Sequence, residues 1–201
     1  DVTTWPHFKG GFGEYVHVFP NTFVWKVPED MPLEIASILD PMAVAVFAVE
    51  QAMTSIGGLD EGLSTTSTCL VIGAGPIGIM TGMYLKAMGV EKLIMSDFMD
   101  EKLENAKNIS GADVVLNMAG LSTEEQIQKV MDVTDGLGAN VVISCANAPM
   151  AAIGGLQMVR KLGHYVEVGC PNGFLGGSGL SVQFHDVVFS RNVHITSVMA
   201  N

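Results

Sequence analysis

Apolar positions come in two rhythms, and the change between them near residue 60 divides the chain. Before it lie strand-like alternations over 13–19 and 23–27, interrupted by Pro20, Pro28 and Pro32, and then a helical spacing of apolar residues over 33–53. After it, short apolar runs predict strands at 69–72, 93–96, 114–117, 141–145, 165–168 and 194–199. Helical stretches are predicted between them over 77–88, 100–109, 123–134 and 149–161. Local signals fix several ends: Asp100 and Glu101 favour a helix start, and Gly111 a helix stop. Ser122 with Glu125 reads as a capping box, and Pro149 suits a first helical turn. Alternating strands and helices imply an α/β fold with a doubly wound parallel sheet, whose ligand crevice lies at the carboxyl ends of the strands.

The first strand runs into Gly73-Ala74-Gly75-Pro76-Ile77-Gly78, and Asp97 follows nineteen residues later at the end of the second. With a strand, a helix and an acid in sequence, this is a dinucleotide-binding fingerprint rather than a bare glycine-rich turn. Gly73 permits the tight exit from the strand, Gly75 has no Cβ to obstruct a pyrophosphate, and Gly78 lets the helix pack close. The helix N-terminus itself attracts the phosphates. Asp97 suits ribose hydroxyls and repels a 2′-phosphate by up to ~4 kcal/mol at ~4 Å and an effective dielectric near 20, so NAD is expected over NADP. Asp97 can equally be a strand terminus or a cap for the helix near Asp100. Lys102 either reaches the same ribose or is a solvated helix residue.

Composition narrows the function classes. The 201 residues are 48% hydrophobic, enough for one full domain and part of another. A formal net charge of −11 opposes nucleic acid and anionic membranes as partners and leaves small-molecule chemistry. The apolar run 69–85 is broken by glycines and Pro76, so a buried strand and helix are expected there rather than a membrane span. Cys69, Cys145 and Cys170 show no CxxC spacing, which suits small core residues in a reducing cytoplasm. His7, His17, His164, His185 and His194 do not pair with a Cys or an acid at ligand spacing; His164 is expected just before a strand. The chain starts at Asp1 without an initiator Met or an apolar leader, so a fragment with no targeting signal is expected.

Gly10-Gly11-Phe12-Gly13-Glu14-Tyr15, Val27-Pro28-Glu29-Asp30, Asp40-Pro41-Met42-Ala43-Val44-Ala45-Val46, the fingerprint, Asp97, Gly111-Ala112-Asp113 and Val166-Glu167-Val168-Gly169 resemble the medium-chain zinc-containing dehydrogenases in order and spacing. The similarity is greatest to the polyol, threonine and secondary-alcohol branch. It implies a remnant of a GroES-like catalytic domain over 1–37, a connecting helix region over 38–60, and a Rossmann NAD-binding domain over 61–201, with the chain truncated at both ends. The implied reaction is hydride transfer between an alcohol or polyol and NAD at a zinc-dependent centre. The implied assembly is a homo-oligomer, dimer or tetramer, formed through the Rossmann domain.

By the same resemblance Asp40 is the acid that coordinates the metal or its water, whereas Asp40-Pro41 taken alone reads as a helix-region turn or N-cap. The other zinc ligands belong upstream of this segment, so this portion by itself is expected to be inactive. Phe47 stands where many of the family carry histidine, which removes a polar contact near the cleft. Further cofactor contacts carried over are Pro76 and Ile77 at the phosphate turn, and Cys145 and Ala146 on the adenine side. Val168, Gly169 and Cys170 match the segment facing the carboxamide, and Val198, Met199 and Ala200 the last contact. A zinc-free quinone or enoyl reductase of the same superfamily, or a non-catalytic NAD-binding module, are the other classes. Asp97 and Asp40 both count against the reductase, and a Cys followed by a His-Glu motif upstream would mark the enzyme.

Overall fold

The computed structural model describes residues 13–53, 66–169 and 185–198. The chain forms two compact units, Asp1–Ser37 and Ile38–Asn201. In the first, the two expected strands are absent among the described residues: 13–27 has no ladder, and Tyr15, Phe23 and Trp25 are exposed. Alternation alone does not hold a strand, because its N–H and C=O groups need a neighbouring edge. What order there is comes from turns, with Thr22 N–H donating to the Phe19 carbonyl around Asn21, whose φ is +66°. A single helical turn, α1 (Leu33–Ala36), follows Pro32.

The apolar pattern over 33–53 is therefore two helices and not one. After α1, the Ser37 hydroxyl bonds back to the Glu34 carbonyl at 2.8 Å, a local bond that competes with helix continuation. The second unit begins with α2 (Leu39–Met53), which buries Ala45, Ala48, Val49 and Ala52.

From there β1 (Thr68–Ile72), α3 (Pro76–Ala87), β2 (Lys92–Asp97), α4 (Asp100–Ser110) and β3 (Val114–Asn117) build one half of a sheet. The other half is α5 (Thr123–Asp132), β4 (Ala139–Ser144), α6 (Pro149–Met158), β5 (Val159–Glu167), a single π-helical turn at His185–Phe189, and β6 (His194–Ser197). All pairings are parallel and the order is β3-β2-β1-β4-β5-β6, the doubly wound arrangement expected from the alternation.

Both faces are covered, as a parallel sheet requires. Val71, Met95, Ile143 and Val166 point into one core with Ala48, Val49 and Leu85 of α2 and α3. Leu70, Ile94, Val142 and Tyr165 point into the other with Val130, Ala152 and Met158 of α5 and α6. The capping box at α5 is formed: Ser122 N–H donates to Glu125 Oε2 at 2.7 Å, and Glu125 N–H to Ser122 Oγ at 3.3 Å. Gly111 ends α4 at φ +70°.

The helix expected to reach residue 161 stops at Met158. Val159 is already extended and pairs with Ala139, and the register then shifts before His164 meets Val141. The surplus residues on β5 are absorbed where Leu162 adopts φ +61° and donates to the Arg191 carbonyl. Tertiary pairing here overrides the local pattern. As a result His164 lies within β5 rather than before it, and is buried.

Candidate functional site

The fingerprint turn sits at the carboxyl end of β1, where α3 begins. Gly73 has φ +96°, and a Cβ there would stand 3.3 Å from the Ala146 nitrogen. Gly78 is tighter still, because a Cβ would lie 1.8 Å from the Gly73 carbonyl oxygen. Gly75 is the opposite case, with nothing within 4 Å of its absent Cβ. The turn is thus packed from below and open above, and Pro76 at the first helical position leaves the helix N-terminus free for an anion.

Asp97 ends β2 beside this turn and is bound to it. Its Oδ2 accepts the Ala74 N–H at 2.9 Å, and its Oδ1 accepts the N–H groups of Phe98 and Met99 at 2.8 and 3.1 Å. Three of its roughly four acceptor positions are thereby filled, leaving room to accept one more donor. Asp97 does not cap α4, whose N-cap is Met99 without a side-chain bond. Lys102 Nζ stands 4.0 Å from Asp97 Oδ2 with its side chain 44% exposed, so it can reach either the carboxylate or a group bound in front of it.

A pocket of about 110 Å³ opens next to Asp97 at the ends of β1, β2 and β4. Its walls include Met118, Gln126, Ala146, Met150 and Met158. Thioether and methyl walls with a carboxylate at one edge suit a flat aromatic group carrying a hydroxylated ring. Met118, Gln126 and Met150 were not legible as site residues, since methionine at helix or loop positions carries no motif.

The other carried-over residues fall in different places. Ile77 packs against the core under α3. Cys145 directs its thiol to Thr81 Oγ1, 3.8 Å away on α3, and it is Ala146 that lines the pocket. Burial pushes the thiols of Cys69 and Cys145 up to about 12, which keeps both protonated and poorly nucleophilic near neutrality. Val168 and Gly169 both donate to the Ser144 carbonyl, at 2.9 and 3.0 Å, and Val198 donates to the Glu167 carbonyl at 2.8 Å. Cys170, Met199, Ala200 and His7 lie outside the described residues.

Asp40 is in the first turn of α2 and exposed. Among the described residues, no three His, Cys, Asp or Glu side chains converge to hold a metal ion. His164 is instead engaged with Thr196 Oγ1 at 2.7 Å. Among the described residues no helix is long and apolar enough to cross a membrane.

Comparison with known proteins extends this picture. Residues 76–201 match the family model described as zinc-binding dehydrogenase. The chain is 32% identical over 94% of its length to an L-threonine 3-dehydrogenase of Pyrococcus abyssi, covering 49% of that protein. It is 30% identical over 82% of its length to a D-xylulose reductase A of Aspergillus oryzae, covering 43% of it. Among solved structures, an alcohol dehydrogenase of E. coli CFT073 complexed with the cofactor NADH superposes at a TM-score of 0.69 and 25% identity, over 88% of this chain and 47% of that one. The chain spans about half the length of the curated relatives it matches.

Proposed function

Since the chain belongs to the zinc-binding dehydrogenase family, we propose that it is the NAD-binding portion of an enzyme that transfers hydride between a small alcohol or polyol and NAD. The observation that carries this reading is Asp97, held by the backbone of the fingerprint turn and presented to the pocket. Gly75 leaves the space a pyrophosphate needs, the N-terminus of α3 supplies N–H groups, and the methionine-walled pocket receives the adenine. The names of the relatives, a threonine dehydrogenase and a xylulose reductase, favour a hydroxylated small molecule as substrate. NAD, when bound, supplies the hydride acceptor. The residues of this chain bind it, orient it and keep the 2′-position free of phosphate.

The described residues do not fit a complete metal centre. Asp40 is one exposed carboxylate, and a catalytic zinc takes three protein ligands. We assign Asp40 to the metal or its bound water in the whole enzyme, with the remaining ligands contributed from elsewhere in it. The assembly we propose is a cytoplasmic homo-oligomer formed through the sheet-bearing unit.

Titration of the purified chain tests the cofactor reading. NAD is expected to bind at least about tenfold more tightly than NADP, an energy of about 1.4 kcal/mol. Asp97→Asn retains an acceptor for Ala74 while removing the charge, and is expected to narrow that gap. Equal affinity of the unmodified chain for both cofactors overturns the assignment.

A further inference from the structure

The second half of the sheet ends in a polar cluster that the fingerprint does not include. Tyr165 and Glu167 are two residues apart on β5 and share the face turned to α6, where Tyr165 lies against Gly155. The Tyr165 hydroxyl donates to Glu167 Oε2, and Glu167 Oε1 accepts the Gly169 N–H at 2.9 Å, a donor it shares with the Ser144 carbonyl at 3.0 Å. The Glu167 carbonyl accepts from Val198 at 2.8 Å, which brings the end of β6 into the same cluster. Gly169 is pressed onto the end of β4, since a Cβ on it would lie 2.2 Å from the Ala146 carbonyl oxygen. Ala146 in turn faces Gly73 of the fingerprint.

A glutamate in this place is costly. Burial pushes its carboxyl above the usual carboxylate range, against the lowering effect of the bonds from Tyr165 and Gly169. Valine in its place would meet the demands of a parallel strand without that cost. A dinucleotide lies across both halves of a doubly wound sheet at the strand ends. With its pyrophosphate at the N-terminus of α3 and its adenosine on the Asp97 side, the remaining half is left the ends of β4 and β5. Gly169 meets Ala146 there, on the side of Ala146 away from the pocket that it also lines beside Asp97. We infer that Glu167 is a positioning residue: sharing the Gly169 N–H with the Ser144 carbonyl, it fixes the turn after β5 where it meets Ala146, and so shapes the surface that receives the nicotinamide half of the cofactor.

The inference rests on the NAD reading, and comparing NAD with ADP-ribose separates the two. ADP-ribose ends before the nicotinamide, so it reports the first half of the site alone. By calorimetric titration, Glu167→Ala is expected to weaken NAD about tenfold, the loss of one hydrogen bond to a charged group, while ADP-ribose stays within about twofold. Glu167→Gln keeps an acceptor for the Gly169 N–H and is expected to restore NAD binding to within about threefold. If Glu167→Ala does not fold by circular dichroism, Gly169→Ala, which forces the turn off Ala146, is expected to give the same split. Equal weakening of both ligands, or unchanged NAD affinity in a folded Glu167→Ala chain, overturns the role of Glu167. An unmodified chain that binds neither ligand overturns the NAD reading, and the inference with it.

Discussion

Asp97 closes β2 and Glu167 closes β5, one carboxylate at the end of a strand in each half of the sheet, and they are used differently. Asp97 accepts three backbone N–H groups, keeps an open side and lines a pocket. Glu167 divides its oxygens between a tyrosine hydroxyl and one N–H, and the cluster it forms faces α6. The first half shapes its rim with glycines packed on backbone, as Gly73 and Gly78 are. In the second half Gly169 also packs on backbone, the Ala146 carbonyl, whereas the helix glycine Gly155 packs on side chains, the ring of Tyr165 and the methyl of Ile72. On the proposed NAD reading a phosphate approaches the main chain at Gly75, where nothing stands within 4 Å of the absent Cβ. Where only a surface has to be held in shape, a side-chain hydrogen bond is enough.

One added methyl group should therefore cost more at Gly78, which is packed on backbone, than at Gly155, which is packed on side chains. Gly78→Ala puts a Cβ 1.8 Å from a backbone oxygen that cannot move without undoing the turn. The expected loss is about 3 kcal/mol or more of stability by urea unfolding, together with nucleotide binding. Gly155→Ala meets side-chain atoms at 2.8 and 2.9 Å, and gains helix propensity in return. A net loss of about 1 kcal/mol is expected, with NAD binding retained. A larger loss at Gly155 than at Gly78 would break the comparison.

The smallest expected effect is a pH dependence that belongs to the second half. Burial, and then the neighbouring His194, hold the His164 imidazole below its ordinary value. Its neutral form is the one that fits beside Thr196 and opposite His194, ring centroids 6.1 Å apart. A depressed folded value means that the unfolded chain takes up the proton first. The contribution is therefore complete above the unfolded value of about 6.5 and is lost as pH falls through the lower folded one. Melting temperature should drop between pH 7 and pH 5, and His164→Gln should flatten that slope. An unchanged slope would show that the histidine pair is not its source.

The halves also differed in how far they could be read from sequence. Gly73, Gly75, Gly78 and Asp97 act through backbone geometry at fixed spacing, and such spacing is visible in a string of letters. The strand order follows from right-handed crossovers between parallel strands once the alternation is recognised. The boundary at Met158 was not legible, because Val159 becomes a strand only through its pairing with Ala139. Nor were the expected strands over 13–27 realised, since a ladder depends on a second segment that local pattern cannot supply. Glu167 was visible as part of a motif, but its role depends on Gly169 and Ala146 meeting across strands, which no spacing encodes. The tie between Asp97 and Ala74 is of the same kind, a contact across 23 positions.

The place of β1 between β2 and β4 also governs the order in which the sheet can be completed. One edge of β1 is paired as soon as β2 exists, but the other waits for β4, whose Asn140 also receives the Thr68 N–H across 72 positions. At roughly 5–20 residues per second of synthesis, that edge is open for roughly two to eight seconds after β2 leaves the ribosome. It consists of Cys69, Leu70, Val71 and Ile72, an apolar run well suited to pairing with another nascent copy. The strand that carries the fingerprint turn thus waits with one apolar edge open, and the yield of folded protein should depend on how quickly β4 reaches it.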